Sequence, residues 1–314
     1  MKLQIDNHRV FQYLFYVFLV VVPILHISLR EFHIDAIYIL AVIFLGFGFS
    51  HKSKWFLLFF CMVVVATVSW LGGTFGKIDA LLVRLFVYST VTFIAVAVIK
   101  QHNDRKEQKL RFVHALAKFL DSRDPYTANH SENVANYALK IAQEMRLSQE
   151  QCEAIHIGGL LHDIGKIGVP ESILTKPSRL TNDEFEIIKR HPVQGYEALK
   201  HMSFFKKNGV LDIILYHHER YDGKGYPVGL KGEEIPLVAR IMSLADSFDA
   251  MTSNRVYRFA MDLDYVVKEI EKNKGIQHDP EIADVFLNIL KKEGTKIFTS
   301  SQEYSCKEKI KTYS

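Results

Sequence analysis

The chain has 314 residues, a net charge of +4 and three cysteines. The length allows about two domains. The small, dispersed charge lacks a basic stripe interleaved with aromatics, which argues against a nucleic-acid polymer as partner. Cys61, Cys152 and Cys306 stand alone in an apolar, a helical and a polar context, so neither a disulfide framework nor a cysteine zinc site is indicated.

In chain order, the first hundred residues are apolar and aromatic. Residues 10–29, 34–49, 55–71 and 78–99 predict four membrane spans, against the roughly 20 apolar residues that a bilayer core requires. The second and third are short. Positive charges set the orientation. Lys2 and Arg9 precede the first span, Lys52 and Lys54 lie between the second and third, and Lys100, Arg105, Lys106, Lys109 and Arg111 follow the fourth. This predicts a multi-pass membrane protein, with the N-terminus, the middle loop and the soluble half facing the cytoplasm. Arg84, inside the fourth span, is expected to snorkel to the outer interface.

Residues 101–111 predict a helical connector, free of Gly and Pro, that continues the fourth span. Leu110, Val113, Ala117 and Leu120 then recur at helical spacing, widened by Phe112, Leu116 and Phe119. Such a face packs on its own domain or pairs with a second copy, so a homodimer through the connector is expected. Helices are predicted over 131–145, 149–161, 183–190, 192–200, 210–217, 236–251, 264–272 and 280–291. Strand alternation is almost absent. The expected fold is all-α: a four-helix transmembrane region (1–100), the connector, an all-helical bundle over 112–291 and a mobile polar tail over 292–314. The loops 165–180 and 219–234 are long enough to carry function.

Chemistry concentrates in that bundle. His162-Asp163 and His217-His218 stand back to back beside apolar runs, where two buried imidazoles or an unpartnered carboxylate would be costly without a ligand. His130 opens a predicted helix, His191 precedes Pro192, and Asp246 sits on an apolar helix. Alone, His130 or His191 reads as an ordinary helix-end histidine, and Asp246 as a buried hydrogen-bonded carboxylate. Together the seven residues exceed what one ion accepts while leaving room for water or substrate. Two divalent cations bridged by Asp163 fit better. The all-nitrogen-and-oxygen set favours iron or manganese, with zinc, nickel or cobalt as alternatives. The other eight histidines outside the pattern that precede His278, and His278 itself, read as structural or solvated.

The stretches His162-Asp163-Ile164-Gly165-Lys166, His217 to Pro227 with Gly225-Tyr226-Pro227, and Ala245 to Ala250 resemble the HD-GYP branch of the HD phosphohydrolase superfamily. The resemblance covers roughly residues 112–290. It implies a phosphodiesterase hydrolysing cyclic di-GMP to pGpG or GMP. It also implies His130, His162, Asp163, His191, His217, His218 and Asp246 as metal ligands, and Asp163 and Lys166 as the catalytic pair. Lys166, Arg255 and Arg258 would face the phosphates, and Tyr226 would lie in the loop shaping the entrance. Some members with three metals carry a glutamate four residues before the first histidine; Tyr126 stands there in this chain, which implies a two-metal site. Two other readings stay open: an HD hydrolase of another nucleotide, such as cyclic GMP-AMP or ppGpp, and a non-catalytic nucleotide-binding module. A diguanylate cyclase or another signalling protein is an expected partner.

Overall fold

The structure is a computed structural model that describes residues 8–28, 36–123, 129–206, 209–253 and 261–298. Tyr126, Arg255, Arg258 and the tail beyond residue 298 lie outside the described residues. The chain divides into two compact units, Met1–Lys109 and Leu110–Ser314. The division falls inside a single helix.

The first unit holds α1 (His8–Ser28), α2 (Ile37–Gly48), α3 (Lys54–Leu71) and the start of α4 (Ile78–Asp121). Three of these are long and apolar enough to cross a membrane: α1, α3 and α4. The second predicted span is shorter than expected. Its helix has 12 residues, about 18 Å at 1.5 Å per residue, against a hydrocarbon core of about 30 Å. A four-span reading therefore needs residues flanking α2. Large apolar side chains face outward from this unit, among them Trp55, Trp70 and Phe86, each more than 70% exposed. Arg84 donates to Ser69 Oγ at 3.0 Å and Thr74 Oγ1 at 2.5 Å, so its charge is turned toward the α3–α4 connection.

The second unit contains the end of α4, then α5 (His130–Glu144), α6 (Gln149–Leu161), α7 (Glu171–Leu174), α8 (Asn182–Ile188), α9 (His191–Leu199), α10 (Val210–Tyr216), α11 (Leu237–Thr252), α12 (Leu263–Asn273) and α13 (Pro280–Glu293). Two 3-10 turns, Ile164–Gly168 and Gly232–Glu234, interrupt the loops. No strand occurs among the described residues, so the all-helical expectation holds. The short α7 falls inside a stretch expected to be loop.

The apolar stripes explain the assembly. Val134, Tyr137, Ala138 and Ile141 of α5 are buried together with Ile241, Leu244, Ala245 and Phe248 of α11 and Phe286 of α13. The Phe248 ring meets Tyr137 and Phe286 edge to face, each at 4.9 Å. Helix starts are locally encoded: Ser148 with Gln151, and Thr181 with Glu184, form capping boxes at α6 and α8. Close backbone approach does the rest. A Cβ on Gly159 would come within 2.6 Å of Ala135 Cα, so glycine lets α6 lie directly against α5. This brings the end of α6 beside the start of α5, which positions the site.

Candidate metal centre

Each candidate ligand sits at a helix end or one residue beyond it, Asp246 excepted. His162 closes α6 and Asp163 follows it. His191 is the first residue of α9, and His217 closes α10 with His218 following. His130 opens α5, and Asp246 lies within α11. The fold gathers all seven into two adjoining groups: Asp163, His191, His217 and His218 in one, and His130, His162 and Asp246 in the other.

Asp163 stands between them. Its Oδ1 faces His191 Nε2 at 3.1 Å and His217 Nε2 at 4.0 Å. Its Oδ2 faces His162 Nε2 at 3.3 Å and His130 Nε2 at 3.7 Å. Asp246 Oδ1 closes the second group, 3.4 Å from His130 Nε2 and 4.0 Å from His162 Nε2. One carboxylate thus offers an oxygen to each group, the disposition a bridging ligand needs.

The imidazoles are oriented from behind. His162 Nδ1 bonds the Gly159 carbonyl at 2.7 Å, His191 Nδ1 that of Ile188 at 2.8 Å, and His217 Nδ1 those of Ile213 and Ile214 at 3.1 Å. His130 Nδ1 instead meets Asp249 Oδ2 at 2.7 Å. In all four, Nδ1 has an acceptor behind it and Nε2 is the nitrogen turned to the centre, an arrangement that suits metal-bound histidines. His162 Nε2 and Asp163 Oδ1 are buried with no hydrogen-bond partner among the described residues. Buried polar atoms are seldom left so, and a cation is the partner that satisfies a nitrogen and an oxygen lone pair at once. The site fits divalent metal.

Electrostatics agree. Burial, with neighbouring histidines, holds His217 and His218 well below the usual imidazole range, so they are neutral donors. Burial opposes a charge on His162, but Asp163 and Asp246 outweigh it and raise it to about 9. Burial likewise opposes a charge on Asp163, yet Lys166 and His162 prevail and hold it well below the usual carboxylate range. Lys166 Nζ reaches Asp163 Oδ2 at 2.5 Å.

A cavity of about 360 Å³ opens beside His217, His218 and Asp246. Lys189, Arg220 and Lys224 line it, Lys189 paired with Glu186 at 2.8 Å and Arg220 with Asp222 at 2.9 Å, and Phe185 and Tyr226 supply aromatic faces. Tyr226 stacks on His218 at 4.7 Å, with Lys189 Nζ 5.6 Å from its ring. The loop carrying it is fixed by Glu219, whose carboxylate accepts from the amides of Val228 at 2.7 Å and Gly229 at 3.0 Å. Sequence reasoning passed over Asp249, Glu219, Lys189 and Phe185. For Asp249 a signal existed, since it lies three residues after Asp246 on the same helix face. Lys189 and Phe185 carried no motif.

The HD domain family profile matches residues 114–282. Among similar proteins, a Xanthomonas campestris pv. campestris cyclic di-GMP phosphodiesterase response regulator is 41% identical, over 59% of this chain and 49% of the relative. A Thermotoga maritima cyclic di-GMP phosphodiesterase is 39% identical, over 65% and 54%. A Vibrio cholerae 3'3'-cGAMP-specific phosphodiesterase is 39% identical, over 61% and 42%. The chain spans about half the length of the curated relatives it matches. With its helical bundle and its His-Asp clusters, the chain belongs to the HD domain family.

Proposed function

We propose that this chain is a metal-dependent phosphodiesterase that hydrolyses cyclic di-GMP to pGpG or GMP at the cytoplasmic face of a bacterial membrane. The observation that carries the reading is Asp163, with one oxygen toward each of two ligand groups, beside a cavity lined by basic and aromatic side chains. Two divalent cations, iron or manganese first, would be held by His130, His162, Asp163, His191, His217, His218 and Asp246, and would supply an activated water and Lewis-acid polarisation of the phosphate. Lys166 stabilises negative charge on the phosphoryl oxygens. Lys189, Arg220 and Lys224 attract an anionic substrate, and Tyr226 presents a face on which a base stacks. Arg255 and Arg258 are retained as phosphate contacts on the family resemblance.

The outward-facing apolar side chains of α1, α3 and α4 support membrane anchoring. The homodimer proposal rests on Phe112 and Phe119, 55% and 61% exposed at a seven-residue spacing on α4. A diguanylate cyclase remains a proposed signalling partner.

The test uses the full chain in detergent, supplied anaerobically with Mn²⁺ or Fe²⁺ and offered cyclic di-GMP. Expected are linear products and their loss in the His162→Ala, Asp163→Ala double variant; no turnover with either metal overturns the proposal. A second substrate, 3'3'-cGAMP, belongs in the same assay because a relative so named is as similar as the cyclic di-GMP enzymes. Preference for it would transfer the proposal to that nucleotide.

A further inference from the structure

Lys166 does not sit on a rigid helix. It lies in the five-residue 3-10 turn Ile164–Gly168, between Asp163 and the extended residue Val169. Such a turn has few internal bonds: the Lys166 carbonyl accepts from the Val169 amide at 3.0 Å, and the helical pattern stops there. Something must hold it if its ammonium is to stay at the metal centre.

Arg123, two residues past the end of α4, meets that need. Its Nη1 donates to the carbonyl oxygens of Lys166 at 2.9 Å and Ile167 at 3.0 Å, and its Nη2 to that of Val169 at 3.1 Å. The carbonyls of Lys166 and Ile167 in the turn and of Val169 just beyond it meet one planar cation, whose forked donors span them. A lysine ammonium has no such fork. The same short stretch reaches the other side of the centre. Asp121 accepts from Ser131 Oγ at 2.6 Å, and Ser131, 1% exposed, follows the candidate ligand His130. Asp121 is the last residue of α4, the helix that also contains the fourth apolar run.

We propose that Arg123 is a positioning residue for Lys166, and that Asp121 acts likewise on His130 through Ser131. The end of α4 thereby sets the spacing between the phosphate-facing lysine and the first metal-facing histidine. Displacing that helix end loosens both together. The catalytic consequence rests on the proposal that Lys166 faces the substrate phosphate; the clamp itself does not.

The test uses the full chain in detergent, comparing wild type with Arg123→Ala and the milder Arg123→Lys. Amide hydrogen exchange is followed at Lys166 and Val169, with Leu244 in the core as reference, and an amine-reactive reagent reports access to Lys166. Bound Mn²⁺ is measured alongside turnover of cyclic di-GMP. Expected in both variants are faster exchange at Lys166 and Val169, several-fold faster Lys166 labelling, unchanged Leu244 exchange and unchanged metal content. The expected kinetic effect is a kcat loss on the order of 100-fold, typical of a displaced catalytic group, with KM little altered. Unchanged exchange and labelling overturn the clamp. Faster exchange with unchanged kcat makes Arg123 structural only and overturns its positioning role. A wild type that fails to turn over cyclic di-GMP sinks the assigned activity, and the exchange and labelling results then decide the clamp alone.

Discussion

Gly165 provides the sharpest test of how the centre is built. It follows Ile164 in the turn after Asp163, and its backbone lies directly against the start of α9. A Cβ at this position would overlap the carbonyl oxygen of His191 and come within 2.6 Å of Gly195 N. Both obstacles are backbone atoms, so no side chain can swing away. Opening the Gly195 gap alone from 2.6 Å to an ordinary 3.4 Å contact moves the two segments apart by about 0.8 Å, and relieving the deeper overlap with the His191 carbonyl oxygen takes more. His191 and Asp163, whose Nε2 and Oδ1 stand 3.1 Å apart, ride on those two segments. Metal–ligand distances tolerate roughly 0.2 Å, so Gly165→Ala is expected to lose the ion that Asp163, His191, His217 and His218 would share. Overpacking of this kind also costs about 1–3 kcal/mol, which the bundle should survive. Metal content by mass spectrometry, with circular dichroism to verify the helices, is the assay. A folded Gly165→Ala protein that binds Mn²⁺ with wild-type stoichiometry and affinity would refute the reasoning.

Three further outcomes are expected. Asp249→Asn keeps a hydrogen-bond acceptor for His130 Nδ1 but removes its charge, so Mn²⁺ should bind roughly 10–100-fold more weakly in chelator competition; equal affinity would leave Asp249 no role behind His130. In the metal-free protein His162 is held protonated, at about 9, whereas His217 and His218 are neutral. Metal uptake at pH 7 should therefore release about one proton, and titration calorimetry showing no dependence on buffer ionisation enthalpy would contradict this. Burial, aided by the Arg220 charge, lowers His278 to about 4 from an ordinary 6.5. The unfolded chain then binds the extra proton between those values, so this contribution to stability is full above 6.5 and is lost as pH falls toward 4. It amounts to about 2 kcal/mol between pH 7 and pH 5. Exchange protection of the Phe248 amide, corrected for intrinsic pH effects, should fall accordingly in wild type and less in His278→Phe; parallel behaviour would remove His278 as the cause.

The helical framework was legible because its signals are local. Periodicity along α5, α6, α11 and α13 names the buried faces, and the ends differ from expectation by a residue or two. Contacts that join distant segments were not legible. Arg123 bonds carbonyls 43 to 46 residues away, and nothing in its neighbourhood names them. His278 read as structural or solvated; its 4% exposure depends on the return of the 273–278 turn against the loop at Tyr221 and Asp222. The weak length of residues 34–49 was visible in the sequence, and the 12-residue α2 expresses it.

The same division runs through the metal centre, and it has one physical cause. A histidine that turns Nε2 toward an ion is oriented by giving its Nδ1 hydrogen to an acceptor. The C-terminal end of a helix supplies acceptors free of charge in sequence terms, since its last carbonyls lack helical partners. His162 and His217 close α6 and α10 and bond carbonyls three or four residues back, while His191 follows α8 and bonds Ile188 in the same way. For these three, a histidine at a predicted helix end carries both ligand and support, so the sequence exposes the whole arrangement. His130 opens α5, where the backbone offers donors rather than acceptors. Its support has to come from elsewhere in the fold, and Asp249 supplies it across 119 residues. Among the four candidate ligand histidines whose Nδ1 partner is described, the one that opens a helix with no helix end before it is thus the one held by a distant carboxylate, and that carboxylate is among the residues sequence reasoning overlooked.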